Sequence, residues 1–235
     1  MSVSGGTARP ITLYGAAVLH RPCARVAAFD ADLETLVADM FASMYAADGV
    51  GLAANQIGVG LRVFVYDCPD ASGENQVGHI VNPVLAAPGP FARTVTESEG
   101  CLSVPGERAE VGRAGVATVT GTDLHGQSLT VTGTGVLARC FQHETDHLRG
   151  TVYVDLLSQQ EREAILAAAG LPGRHRRIAN PRAGEPSSRR PLFEKDRRAN
   201  LPCSRKTAES AADTLRGYCS YPSVVLPIPQ PGLKL

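Results

Sequence analysis

The sequence predicts an α+β fold, mainly antiparallel β-sheets around a central helix carrying His-Glu-x-x-His, with an amphipathic helix near the amino terminus and a C-terminal helix before an irregular basic tail. Three observations predict it. Apolar residues recur at helical spacing in two long stretches, from Asp30 to Asp48 and from Val136 to Leu148. The β-rich runs between them are joined by turn residues rather than helical crossovers, which favours antiparallel pairing. Composition also changes abruptly near Gly170: residues 1–170 hold 10 arginines, no lysine and 18 acids (net −8), whereas residues 171–235 hold 13 basic residues and 5 acids (net +8). The expectation is a folded domain over 1–170 and a Pro/Arg-rich tail over 171–235 whose lack of either period favours disorder.

Residues 1–29, broken by Pro10 and Pro22, are expected to lie extended on the surface. From Asp30, placed to cap a helix, Leu33, Leu36, Val37, Met40, Phe41, Met44 and Tyr45 mark one face until Asp48-Gly49 ends it. Gly49 to Gly58 reads as a loop of small residues. Its glycines either permit tight turns or leave the backbone bare so that another chain can pair with it. Leu61–Tyr66 and His79–Leu85 read as strands, with loops between them and over residues 86–94. Val116–Thr122, the turn Asp123-Leu124-His125-Gly126 and Gln127–Thr132 make a hairpin. Val136–Leu148 is the second long helix, with Val136, Cys140, His143 and His147 along one stripe. A short strand, Val152–Val154, and a third helix over Ser158–Ala169, closed by Gly170 and Pro172, complete the expected domain.

An apolar content of 43% suffices for a core, and no run approaches the roughly 18 apolar residues of a membrane span. The start lacks the basic, apolar and small-residue regions of a signal peptide, and six scattered cysteines do not make a secreted disulfide framework. A cytoplasmic protein with reduced thiols is expected.

The central helix contains Gln142-His143-Glu144-Thr145-Asp146-His147. Histidines four apart share one helical face, the spacing for two imidazoles to hold one metal ion, with Glu144 beside it as general base to a water. The bland alternative is a surface helix with two exposed histidines. A catalytic site needs a third protein ligand and an open position. The metzincin arrangement would put a histidine three residues beyond Gly150, where Tyr153 stands. Glu161 and Glu163 on the last helix fit poorly, and His79 and His125 are isolated in a strand and a turn. Cys101, in Glu99-Gly100-Cys101-Leu102-Ser103-Val104-Pro105, is the better candidate and completes a Cys-His-His set; Cys140 reads as a small apolar member of the helix stripe.

Taken together these segments resemble the three motifs of the peptide deformylase family: Gly-apolar-Gly-apolar-Ala-Ala-x-Gln at Gly49 to Gln56, Glu-Gly-Cys-Leu-Ser at Glu99 to Ser103, and Gln-His-Glu-x-x-His at Gln142 to His147. They occur in order with no departure at the fixed positions, and the resemblance covers residues 8–170.

The resemblance implies a metal-dependent hydrolase that removes the formyl group from the amino-terminal formyl-methionine of newly made proteins and releases formate. It implies Cys101, His143 and His147 as metal ligands and Glu144 as base and then acid. The Gln56 side-chain amide and the Leu102 backbone N–H would be the donors to the charge that develops on the formyl oxygen. Gly49, Val50 and Gly51 would pair with the substrate backbone as an added strand. A pocket drawing on Val50, Val136 and Cys140 would take the methionine side chain, and Arg108 would meet the peptide further along. Glu97 departs from the apolar residue that the family often places in that pocket. The metal implied is Fe²⁺, with Zn²⁺, Ni²⁺ or Co²⁺ able to substitute, since Cys-His-His suits iron and zinc alike. Nascent formylated polypeptides are the expected partners, with no membrane and no DNA, and a monomer is expected. The basic tail reads first as a solvated linker and second as an arm docking on ribosomal RNA. A metallopeptidase cutting internal bonds and an inactive metal-binding relative are the competing readings.

Overall fold

A computed structural model describes residues 5–89 and 91–173, so the basic tail and the expectations placed on it lie outside the described residues. Three α-helices and seven strands build the domain: α1 (Ala31–Ala46), β1 (Gly51–Ala53), β2 (Val63–Pro69), β3 (Asn75–Leu85), β4 (Thr94–Cys101), β5 (Val104–Ala114), β6 (Val116–Thr122), β7 (Ser128–Thr134), α2 (Gly135–Arg149) and α3 (Gln159–Ala168). One antiparallel sheet has the order β1-β2-β3-β6-β7, and β4 pairs with β5 as a separate hairpin.

The two-residue period of β2 decides where the helices go. Val63 and Val65 face the cluster in which α1 buries Leu33, Leu36, Val37, Met40, Phe41 and Met44. Phe64, Tyr66 and Cys68 face the other way, into a cluster with Leu137, Cys140, Phe141 and Leu148 of α2. Phe141 meets Tyr66 edge-on at 5.1 Å between ring centroids and Phe64 at 5.9 Å. Each such fully buried side chain contributes roughly 1.5–3 kcal/mol. The sheet is thus covered by α1 on one face and α2 on the other, which explains why both faces of β2 are apolar.

The caps follow sequence cues. Asp30 accepts from the Leu33 N–H at 3.2 Å to start α1. Ser158 and Glu161 exchange bonds at the start of α3, with the Ser158 N–H donating to Glu161 at 3.1 Å. Gly150 ends α2 at φ 84°, where an added Cβ would lie 2.6 Å from the backbone nitrogen of Arg21.

Three departures from the sequence reading have physical causes. Val152–Val154 is not a strand: Tyr153–Leu156 forms a 3-10 turn, closed where Asp155 accepts the Val152 N–H at 2.9 Å and the Tyr14 hydroxyl at 2.7 Å. The Gly49 loop contains β1, whose Gly51, Leu52 and Ala53 pair with Tyr66, Val65 and Phe64. The β4–β5 hairpin had no counterpart among the expected strands, because Thr94 to Ser98 is exposed on both faces and holds Val95 as a single apolar residue, too few to show alternation. The amino-terminal segment lies along the surface as expected, tied to α1 where Asp39 accepts the Thr7 N–H at 2.7 Å and the Arg9 guanidinium at 2.6 Å. Among the described residues no helix is long and apolar enough to cross a membrane.

Candidate metal centre

Two elements far apart in sequence bring the site together. The helical repeat of α2 sets His143 and His147 one turn apart with ring centroids at 4.9 Å, and their Nε2 atoms face each other at 3.2 Å. Cys101 ends β4 just past the register shift at Gly100, and its Sγ lies 3.2 Å from His147 Nε2. The three ligand atoms all lie within 4.8 Å of one another, and the three residues are buried. His79 in β3 and exposed His125 are not part of the group, and Glu161 is engaged in capping α3.

The donor set fits a transition-metal ion. His143 Nδ1 bonds Glu99 Oε1 at 2.7 Å, which directs its Nε2 lone pair toward the other two donors. Burial and the neighbouring His143 ring push the His147 pKa well down, so this imidazole is neutral and able to ligate. Burial, together with the charges of Glu144 and Glu99, raises the Cys101 thiol, while the Ser103 N–H opposes this from 3.4 Å. A cation at this point reverses the balance, because a coordinated thiol is deprotonated.

Glu144 is the most unusual group in the domain. It is fully buried, and neither carboxylate oxygen has a hydrogen-bond partner. Burial raises its pKa well above the ordinary value, and the charge of Glu99 adds to that. Its carboxyl lies against Gly51, where an added Cβ would stand 2.5 Å from Oε1. A buried carboxyl left without a partner costs free energy, and such exceptions concentrate where a proton is handled.

Gln56 is buried in the 3-10 turn Ala54–Ile57 that follows β1. Its Oε1 accepts the Ala53 N–H at 2.8 Å, which fixes the amide so that Nε2 points at Cys101 Sγ (3.6 Å) and Ser103 Oγ (3.4 Å). A cleft of about 420 Å³ opens on Cys101 and is lined by Ile11, Ala47, Leu102, Val104, Pro105 and Arg108, among others. The Arg108 guanidinium donates to Ser98 Oγ and to its carbonyl, both at 3.0 Å. Leu102 packs over Gly49. β1 is the last strand of its sheet and pairs with β2 alone.

The three residues expected around the methionine side chain lie together in the cluster between β1 and α2. Cys140 is fully buried behind Gly51, with Sγ 3.9 Å from the Val50 carbonyl, and Val136 packs half-buried against the same cluster. None of Val50, Val136 and Cys140 lines the cleft that opens on Cys101.

Sequence reasoning assigned no role to the groups that hold the ligands in place. Glu99 precedes Cys101 by two in a strand, so the two share a face, a period-2 signal that was available. The buried Glu99 carboxylate takes Arg113 Nη2 at 2.7 Å and Arg139 Nη1 at 2.9 Å as well as His143. Although burial works the other way, the His143 and Arg113 contacts hold its pKa well below the usual carboxylate range. Asn55 donates to the His147 carbonyl at 2.6 Å, and the Tyr153 ring stacks on His143 at 6.4 Å between centroids.

Known proteins resemble the chain over the residues that build this site. Residues 8–163 match the family model for polypeptide deformylase. The chain is 55% identical over 162 residues to peptide deformylase 1 of Streptomyces avermitilis, covering 68% of this chain and 75% of that one. It is 49% identical over 171 residues to peptide deformylase 2 of Streptomyces coelicolor, covering 73% and 94%. Among solved structures, a peptide deformylase from Legionella pneumophila superposes with a TM-score of 0.63 at 40% identity over 69% of this chain and 94% of that one. The Ehrlichia chaffeensis peptide deformylase in complex with actinonin gives 0.64 at 34% identity over 69% and 95%.

Proposed function

The chain belongs to the polypeptide deformylase family, and from that membership we infer that it hydrolyses the formyl group from the amino terminus of newly synthesised polypeptides. The reaction adds water across the formyl C–N bond and yields formate and a free amino terminus. Within this chain, the observation that carries the reading is the unpartnered buried carboxyl of Glu144 beside the Cys101, His143 and His147 cluster.

We assign the metal to Cys101, His143 and His147, and choose Fe²⁺ for it over Zn²⁺, Ni²⁺ or Co²⁺. When bound, the ion supplies Lewis acidity that lowers a water's pKa toward neutrality and polarises the formyl carbonyl. Glu144 takes the proton from the attacking water and passes it to the departing amine, a role matched by its burial beside the ligand cluster and its raised pKa. The Gln56 Nε2 and the Leu102 backbone N–H donate to the oxygen on which charge accumulates, and the Ala53–Gln56 bond means the amide needs no rearrangement as that charge grows. The outer edge of β1 accepts the peptide backbone as an added strand, and the neighbouring cleft with Arg108 takes residues further along.

The deciding assay is formate release from formyl-Met-Ala-Ser. Rapid formate release, with unformylated peptides left intact, is the expected result; cleavage of internal bonds without formate would establish a metallopeptidase instead. Metal analysis after anaerobic purification tests the choice of iron, which a fully active zinc-filled protein would overturn. We further propose a cytoplasmic monomer in which the basic charge of residues 171–235 adds contact with ribosomal RNA. Truncation after Gly170 should weaken ribosome co-sedimentation at low salt, and an unchanged profile would remove that role.

A further inference from the structure

Arg139 lies one turn before His143 on α2, and its side chain is only 6% exposed. Its Nη1 donates to Glu99 Oε2 at 2.9 Å and to the Val111 carbonyl of β5 at 2.9 Å, while Nη2 donates to the Val95 carbonyl of β4 at 3.1 Å. One guanidinium therefore ties both strands of the hairpin to the helix. The hairpin carries Cys101 and the helix carries His143 and His147, so this tie spans the two halves of the metal site.

The charges around it show why one arginine is not enough. Arg113 gives Nη2 to Glu99 Oε1 at 2.7 Å and Nε to Oε2 at 3.1 Å, but its Nη1 is taken by Asp146 at 2.6 Å. Without Arg139, two carboxylates would share one cation, and Glu99 Oε2 would keep only the longer bond. Oε1, the atom that holds His143 Nδ1, would then be set by a carboxylate held through the Arg113 fork alone, a fork shared with Asp146. Stability alone does not explain Arg139, because burying a guanidinium is expensive and an apolar side chain of similar volume usually serves the fold as well. The Glu97 carboxylate, at 3.5 Å from Arg139 Nε, is more than half exposed and adds little.

We propose that Arg139 is a positioning residue of the metal site: by clamping Glu99 Oε2 and the carbonyls of Val95 and Val111, it fixes His143 and holds Cys101 at ligating distance from the helix. The proposal rests on the assignment of the metal to Cys101, His143 and His147.

The test uses the full chain loaded with Co²⁺, whose thiolate absorption reports the Cys101 bond, and follows its release to excess chelator. Loss of an outer partner of a ligating histidine typically weakens metal binding by about 10- to 100-fold. Arg139→Met should therefore release the ion about 10- to 100-fold faster and shift the cobalt spectrum. Arg139→Lys keeps the charge on a single nitrogen but not the fork and should fall between Arg139→Met and the parent. Glu97→Gln should stay within about twofold of the parent, as expected for an exposed, weakly coupled charge. Thermal unfolding of the metal-free proteins separates this effect from general loosening of the fold. Parent-like release and spectrum in a folded Arg139→Met protein overturn the proposal; if that variant does not fold, parent-like release by Arg139→Lys does so. A parent protein with no cobalt–thiolate absorption would instead sink the metal assignment on which the proposal stands.

Discussion

Gly51→Ala tests whether the glycine of β1 makes room for the base. A Cβ there would stand 2.5 Å from Glu144 Oε1, 2.7 Å from Cys140 Sγ and 3.2 Å from Glu144 Cδ, whereas real Cβ contacts under 3.0 Å essentially do not occur. The Glu144 carboxyl must therefore retreat by at least about 0.5 Å, or β1 must lift from α2 by as much. Neither Glu144 nor Cys140 has any solvent exposure, so neither can swing aside into water. A misplacement of about 1 Å at a reacting group costs about 10²-fold in rate, and a shift of half that size or more sets the expected loss in kcat at about 10- to 100-fold. The methyl points toward α2 and away from the outer strand edge, so KM for a formylated tripeptide should change much less. Overpacking also costs roughly 1–3 kcal/mol of stability, offset in part by about 0.4–1 kcal/mol from the stiffer unfolded chain. Formate release gives kcat and KM, metal content is measured on the same preparation, and thermal unfolding gives the stability change. A kcat within twofold of the parent, with metal retained, would refute the idea that Gly51 is there to admit Glu144.

Three further perturbations separate the remaining roles. Glu144→Gln keeps the shape but removes the base, so deformylation should fall by about 10²- to 10⁴-fold while Co²⁺ still binds with its thiolate absorption; loss of the metal along with the activity would move Glu144 from base to ligand. Gln56→Leu should lower kcat by about 10²- to 10³-fold with metal retained, and should cost about 1–3 kcal/mol in stability because the buried Ala53 N–H loses its acceptor; near-normal turnover would remove Gln56 from the oxyanion role. The Thr7 N–H and the Arg9 guanidinium hold the Asp39 carboxyl below its ordinary range. Because the folded pKa is the lower one, this clamp stabilises above the unfolded value of about 3.9 and is lost as pH falls through the folded value. Urea midpoints of metal-free Asp39→Asn should therefore fall less steeply below pH 4 than those of the parent, and parallel curves would show that the clamp contributes nothing.

The parts of the domain that were legible in the sequence are those whose cause is local. His143 and His147 announce themselves by a spacing of four on one helix, and α1 by its apolar period and the Asp30 cap. Cys101 needed elimination of other ligands or the resemblance of Glu99 to Ser103, because its distance to the helix is not written in either segment alone. The β4–β5 hairpin left no periodic trace, since Thr94 to Ser98 is exposed on both faces with Val95 alone apolar, and it stays in place through Arg113 and Arg139 reaching in from β5 and α2. Val152 to Val154 shows the reverse case, in which β-prone side chains are drawn into a 3-10 turn by Asp155.

These two cases share a mechanism with the site itself. Helix α2 fixes two ligands to each other, but it has no means of fixing Cys101, which arrives on a hairpin with few apolar contacts of its own along Thr94 to Ser98. The registration between them has to come from directional bonds, and the buried carboxylate of Glu99 is where those bonds meet: one oxygen takes His143 and Arg113, the other Arg113 and Arg139. A carboxylate so satisfied cannot turn without breaking a charge-assisted bond, whereas Glu144, one helical position after His143, has none and is free to exchange a proton. The same type of side chain thus serves as a fixed strut on β4 and as a proton carrier on α2, and what separates the roles is the count of charged donors bound to it. Moving a donor toward Glu144 or away from Glu99 should therefore damage the site from either end, the first by slowing proton transfer and the second by loosening the ligands.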